Sequence, residues 1–291
     1  MPYDWRMITQ AIEPTSTKTE TLPGCHALTA EQKASFENNG FFVIRGALSD
    51  AEIERYLAIV DRGDQEIASH VKGARQPGEA LELRNAVEFD QSIVELMTHR
   101  SAFPQILDLM GPAIGLTTSH MLIRPPSPAV KREEKVVGWH RDGPNPRPLA
   151  VNGIEPWLYT KIGYFLTDTM IPDAGALSVV PGSHRYGGTP PQVTGEVNPS
   201  GTYEVTMKPG DAVIFENRVL HAVGPNYSAI SRKNFYFGYC WRYLRPIDFT
   251  TQPESVLAWG DKYQRQLMGE AASALEFYLP GQTHNPLADW K

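Results

Sequence analysis

The hydrophobic rhythm of the chain changes near residue 111. Before that point apolar residues recur at three and four. Ile53, Tyr56, Leu57, Ile59 and Val60 share one face of a predicted helix capped by Ser49. Thr29, with Gln32 three residues on, is a capping box that opens an earlier helix running to about Asn38 and stopping at Gly40. Phe41-Phe42-Val43-Ile44 predicts a short buried strand. A polar stretch with Gly73, Pro77 and Gly78 follows, and two further helical pieces end at Gly111.

After Gly111 the period shifts towards two. Strands are predicted at 116–123, 135–140, 157–166, 177–180, 202–207, 212–215 and 235–243. Pro125-Pro126, Pro181-Gly182 and Pro209-Gly210 punctuate them as turns. Many short strands separated by turns imply a sandwich or barrel rather than a parallel α/β sheet. Residues 252–271 return to a helical pattern. The expected organisation is an irregular leader over 1–27 and one domain over 28–291. Within that domain, 28–112 is mainly helical, 113–245 is the β core and 246–291 is a C-terminal helical extension. Two Pro-, Gly- and Asn-rich inserts, 143–156 and 186–201, read either as lids or as surface decoration.

Composition narrows the function classes. With 41% hydrophobic and 21% charged residues, the chain has material for a sizeable core without staples. A net charge of -6 with no basic block excludes non-specific nucleic-acid binding and an anionic membrane surface as partners. No apolar run approaches the ~20 residues of a membrane span. The first twenty residues show no secretory signal, so the expectation is a cytoplasmic protein, monomer or homodimer, acting on a small molecule. Two cysteines, Cys25 and Cys240, build no thiolate cage, and no disulfide between them is expected.

The chemistry concentrates in Trp139-His140-Arg141-Asp142. On an extended backbone, residues two apart face the same way, so His140 and Asp142 converge on one point. Imidazole plus carboxylate suits iron(II), and a second histidine would complete a facial set with open positions. His221 is the best candidate, because it follows a turn, an apolar strand and the polar Glu216-Asn217-Arg218 segment. Eleven residues later Arg232 offers a planar fork for a carboxylate. Taken singly, each has an ordinary explanation: a surface turn, a structural histidine, a surface ion pair. Their order and spacing in a β-rich setting favour function. His184, in a Pro-Gly-Ser-His turn, is the rival ligand, with a structural role favoured; His120 reads as a core or a pocket histidine.

These stretches resemble the phytanoyl-CoA dioxygenase family of iron(II)/2-oxoglutarate oxygenases over roughly residues 28 to 243. Leu28-Thr29-Ala30-Glu31-Gln32 and Asn39-Gly40-Phe41-Phe42-Val43-Ile44-Arg45-Gly46 are similar to the family's opening helix and strand. Met121-Leu122-Ile123, His140-Arg141-Asp142, Tyr164-Phe165-Leu166-Thr167-Asp168, Pro181-Gly182-Ser183-His184-Arg185 and Pro209-Gly210-Asp211 match further family stretches.

The resemblance implies a double-stranded β-helix (jelly roll, cupin-like) with helical additions at both ends. It implies iron(II) held by His140, Asp142 and His221, with 2-oxoglutarate and dioxygen as co-substrates and Arg232 on the distal carboxylate. The expected outcome is hydroxylation of an unactivated carbon, with a natural product or amino-acid-like metabolite as substrate. Two departures stand out: Val137 replaces a glutamine that several members carry, and Ala176-Leu177 follows Gly175 where a small polar residue is common. Lys161 reads equally as a substitute 2-oxoglutarate contact or as a rim lysine. Arg84, Arg124, Trp139 and Trp241 are the candidate substrate contacts. The competing function is a cupin-like ligand binder without oxygenase activity; a zinc hydrolase lacks a placed general base.

Overall fold

The computed structural model describes residues 28–66, 75–127, 138–143, 149–171, 173–188, 190, 198–270 and 285–290. The predicted leader, Cys25, His26, His70, Val137 and His284 lie outside them, as does the first half of the strand predicted at 135–140.

The chain opens with helix α1 (Ala30–Asn39). The Thr29 hydroxyl accepts from the Gln32 N–H, and the Gln32 side chain accepts from the Thr29 N–H. Gly40 ends the helix at φ 84°, and a Cβ there would press on Val219 and His184. Strand β1 (Phe41–Ile44) and helix α2 (Asp50–Glu66) follow, the latter burying Tyr56, Ile59, Val60 and Gly63. Next come β2 (Leu81–Arg84), α3 (Gln91–Met97), α4 (Phe103–Met110), β3 (Ile114–Arg124), β4 (Tyr159–Phe165), β5 (Leu177–Val179) and β6 (Tyr203–Val205). Strands β7 (Ala212–Glu216), β8 (His221–Val223) and β9 (Arg232–Trp241) complete the sheets. Two short helices, α5 (Glu254–Leu257) and α6 (Lys262–Leu267), replace the single helix predicted at 252–271. The break falls at Asp261, which caps α6 by accepting from the Tyr263 and Gln264 N–H groups.

Among the described residues, the strands form a six-stranded sheet, β1-β7-β4-β9-β3-β2, and a three-stranded sheet, β6-β5-β8. All pairings are antiparallel. One core packs the large sheet against the helices, with Tyr56, Val60, Phe103, Phe235, Phe237 and Tyr239 in it. A second lies between the sheets, where Phe165, Val213, Phe215 and Tyr236 meet Leu177, Val179 and Val205. This is the double-stranded β-helix, with helices on one outer face.

Strand β2 corrects the sequence reading, which made this region helical or polar. Leu-Glu-Leu-Arg has good helix formers, but pairing with β3 (Leu81↔Ile123, Arg84↔His120) overrides propensity. Leu81 and Leu83 enter the helix-side core, which turns Glu82 and Arg84 to the other face.

Candidate active site

The chain around His140 is not a strand but a bridge: His140 and His221 exchange both backbone hydrogen bonds, each 2.9 Å. This closely bonded antiparallel pair brings two sequence-distant histidines side by side, rings 4.3 Å apart. Each ring donates its Nδ1–H to a carbonyl two residues upstream, His140 to Gly138 at 2.7 Å and His221 to Val219 at 2.8 Å. That tautomer leaves both Nε2 lone pairs for the site. His140 Nε2 lies 3.7 Å from Asp142 Oδ1, and His221 Nε2 lies 3.7 Å from Asp142 Oδ2. The three donor atoms all fall within 4.8 Å of one another.

Alternation fixes the rest of this segment. Arg141 points away from the site and is buried, donating to the carbonyls of Arg218 at 2.8 Å and Ser183 at 3.0 Å. The Asp142 N–H donates to the Asn217 carbonyl at 2.9 Å, and the Asn217 amide donates back to the Asp142 carbonyl at 3.3 Å. The Asn217 side-chain oxygen also accepts the Leu158 N–H at 2.9 Å, tying the metal-facing segment to the approach to β4.

Burial by itself would raise the pKa of Asp142. The Lys161 ammonium, 2.6 Å from Oδ2, and the two histidines together overcome this largest single effect and hold the carboxyl well below its usual range. Burial pushes His221 down to about 4 against the pull of Asp142, so the ring is neutral at physiological pH, as a ligand must be. His184 stands apart from this group. It lies beneath the α1–β1 turn, its Nε2 bonded to the Glu37 carbonyl at 3.1 Å, and burial lowers it to about 4.

Arg232 is 2% exposed. Its Nη1 donates to the Gly175 carbonyl at 2.6 Å, while its Nε is buried without a partner among the described residues. Burial lowers its pKa to about 10, which still leaves it charged near neutrality. Lys161 is no rim lysine: its side chain is 12% exposed and engaged with Asp142. Arg124 faces Arg232 across the β3–β9 register, and Arg84 faces His120 across β2–β3. Both arginines are substantially exposed and share Glu82, and Arg84 also reaches Asp248 at 3.5 Å. Trp139 donates its indole N–H to Asn198 at 3.3 Å.

Trp241 must be withdrawn as a substrate contact. It shares the face of Phe235, Phe237 and Tyr239, packs on the helix-side core, and meets Trp157 edge-on at 5.4 Å.

Sequence reasoning left His120 open and missed its partners. Its Nε2 lies 2.5 Å from the Thr118 hydroxyl, which in turn donates to Asp248 at 2.5 Å. Burial, reinforced by the charge of Lys161, lowers His120 to about 2. Asp248 comes from beyond β9, so no local spacing announces this chain. Asn234 and Tyr236 were also missed, although their parity with Arg232 on one strand was a usable signal.

The residues fit the groups that the resemblance implies. Two imidazoles and one carboxylate form a donor set for iron(II) with coordination positions to spare. On the same inner face, Arg232 Nε, both amide atoms of Asn234 and the Tyr236 hydroxyl are buried without partners among the described residues. Buried polar groups are rarely left so, and a dicarboxylate would accept from the donors among them, Arg232 Nε, the Asn234 amide nitrogen and the Tyr236 hydroxyl.

The phytanoyl-CoA dioxygenase (PhyH) family model matches residues 36–234, more than half of the 291-residue chain. No curated protein sequence matches. Among solved structures, HygX from Streptomyces hygroscopicus with nickel and 2-oxoglutarate bound is similar at a TM-score of 0.58 and 19% identity, covering 77% of this chain and 90% of that one. The non-heme alpha ketoglutarate dependent epimerase SnoN from nogalamycin biosynthesis gives 0.51 and 20%, over 72% and 81% of the two chains. The carbocyclase SnoK from the same biosynthesis gives 0.53 and 19%, over 73% and 84%. At such identities the likeness concerns the fold. Family match, fold and convergent donor set together make the conclusion plain: the chain belongs to the phytanoyl-CoA dioxygenase family and is a non-haem iron, 2-oxoglutarate-dependent enzyme.

Proposed function

We propose that the protein oxidises, by hydroxylation, an unactivated carbon of a small polar molecule, a natural product or amino-acid-like metabolite. The observation that carries this reading is the pairing, inside one barrel, of the His140–Asp142–His221 donor set with a buried, incompletely bonded Arg232. In this reading His140, Asp142 and His221 hold iron(II), Arg232 pairs with the distal carboxylate of 2-oxoglutarate, and Lys161 lies at the chelating end. Iron with dioxygen and 2-oxoglutarate supplies the oxidising power, with succinate and carbon dioxide as co-products.

The protein's own residues do the positioning. The Gly138 and Val219 carbonyls fix the ligand tautomers, and Arg141 and Asn217 hold the backbone that presents Asp142. Phe215 and Tyr236 line the interior and exclude water. Arg84 and Arg124, with Trp139, are the proposed substrate contacts. Glu82 and Asp248 stand beside the arginines, so the edge of the large sheet offers both charge signs. That lining suits an amine- or acid-bearing molecule better than an acyl chain. A groove of about 680 Å³, lined by Arg84, Asn85, Asp248 and Phe249 among others, adjoins this edge.

Retention of Asp142 as a carboxylate ligand predicts oxygenation rather than halogenation, since no position is vacated for chloride. The test is substrate-dependent succinate formation across a panel of polar natural products and fatty acyl compounds, with mass analysis of the product in excess chloride. A product one oxygen heavier from a polar substrate is expected. Turnover confined to acyl chains, or a chlorinated main product, contradicts the proposal.

A further inference from the structure

The register of the large sheet defines what lies between the two ends of the site. On the inner face, Gly238 of β9 stands between Thr118 and Lys161, and Lys161 marks the metal end through Asp142. Moving along β9, Tyr236 stands between His120 and Gly163, Asn234 between Leu122 and Phe165, and Arg232 opposite Arg124. A keto acid that reaches from the metal end to Arg232 must pass over Tyr236 and Asn234.

Tyr236 is built to be met there. A Cβ at Gly163 would collide with its ring, so the missing side chain lets the ring lie across β4. Phe165 and Phe215 pack edge-on against that ring at 6.3 and 6.1 Å. The ring is thereby held, yet its hydroxyl is buried with no partner among the described residues. The charges of both Arg232 and Asp142 bear on that hydroxyl. An orphaned hydroxyl is not by itself a sign of a ligand, because Tyr164 on the helix-side face also lacks a partner among the described residues. What distinguishes Tyr236 is its company: Arg232 Nε and both amide atoms of Asn234 are orphaned on the same face of the same strand.

We propose that the Tyr236 hydroxyl donates a hydrogen bond to the distal carboxylate that Arg232 pairs with, making Tyr236 a second anchor for 2-oxoglutarate. This rests on the site reading given under Proposed function.

The test compares two keto acids on the anaerobic iron(II) protein: 2-oxoglutarate, and 2-oxopentanoate, which chelates alike but lacks the distal carboxylate. Tyr236→Phe keeps the ring packing and removes one charge-assisted bond. It should raise the dissociation constant for 2-oxoglutarate by about tenfold or more, leaving 2-oxopentanoate and iron affinity unchanged. A merely structural role would weaken both keto acids together, and that result overturns the proposal. So does an unchanged affinity for 2-oxoglutarate. If the wild-type protein itself binds no 2-oxoglutarate, the underlying site reading falls as well; if wild type binds and Tyr236→Phe is silent, only the Tyr236 assignment falls.

Discussion

Strand β9 carries two buried tyrosines three residues apart, and they meet opposite fates. Tyr239, on the helix-side face, donates its hydroxyl to the Met97 carbonyl and packs against Phe103. Tyr236, on the inner face, is also buried but has no protein partner among the described residues. The same contrast runs along the strand. Phe235, Phe237 and Tyr239 join one apolar core, whereas Arg232 and Asn234 keep polar atoms without partners among the described residues. One face of β9 is matched by the fold; on the other, the proposed 2-oxoglutarate supplies the match. Unsatisfied buried groups weaken the ligand-free state, so under the proposed assignment this face trades stability for binding.

The largest test of that division removes a donor. His221→Ala should abolish iron binding and 2-oxoglutarate turnover, since one of three protein donors is lost, while His184→Ala should keep iron bound. Equilibrium dialysis of iron(II) against both variants checks this, and iron loss in His184→Ala alone would reverse the assignment.

Acid should next weaken the metal-free protein through its buried histidines. His221 and His184 titrate near 4 in the native state, and His120 lower still, against about 6.5 when unfolded. Below about 6.5 the unfolded chain takes up protons that the native chain refuses. Stability is therefore complete above that pH and falls by about 1.4 kcal/mol per pH unit per histidine towards pH ~4. Denaturant unfolding at pH 7, 6 and 5 reads the slope directly; a flat profile counts against neutral buried imidazoles.

Tyr239→Phe tests the structural face. It leaves the buried Met97 carbonyl without this donor and should cost about 1–3 kcal/mol of stability, with 2-oxoglutarate affinity unchanged. Loss of affinity in this variant would blur the two faces. The smallest expected effect is at Arg84, whose closer ion pair, to the partly exposed Glu82, is worth about 0–1 kcal/mol, the contact to the buried Asp248 being long at 3.5 Å. Arg84→Gln should leave stability and 2-oxoglutarate affinity intact while raising the KM of the eventual substrate; an unchanged KM removes Arg84 from the substrate contacts.

Much of this was legible because it is local. The α1 capping box, the inner-face parity of His140 with Asp142 and the turn pairs between strands are written within a few residues of each other. Longer-range features were not. Strand β2 is hidden by helix-favouring residues that only pairing with β3 overrules. The His120–Thr118–Asp248 chain joins the first long strand of the β core to a residue beyond its last strand. Trp241 went wrong for a simpler reason: nearness to a strand end suggests the site, but parity sets the residue with Tyr239 on the opposite face.

In the proposed reading, the inner face of β9 holds 2-oxoglutarate beside the metal. Titrating 2-oxoglutarate into the anaerobic iron(II) protein, and following the weak visible charge-transfer band, tests it most directly. Wild type should saturate with one equivalent. Stranding a buried charge by removing its partner costs ~3–5 kcal/mol, so Arg232→Ala should raise the dissociation constant by roughly two to three orders of magnitude with iron still bound. Arg232→Lys should recover only part of the loss, because an ammonium does not reproduce the planar fork. No band in the wild type, or equal affinity in Arg232→Ala, would contradict the account.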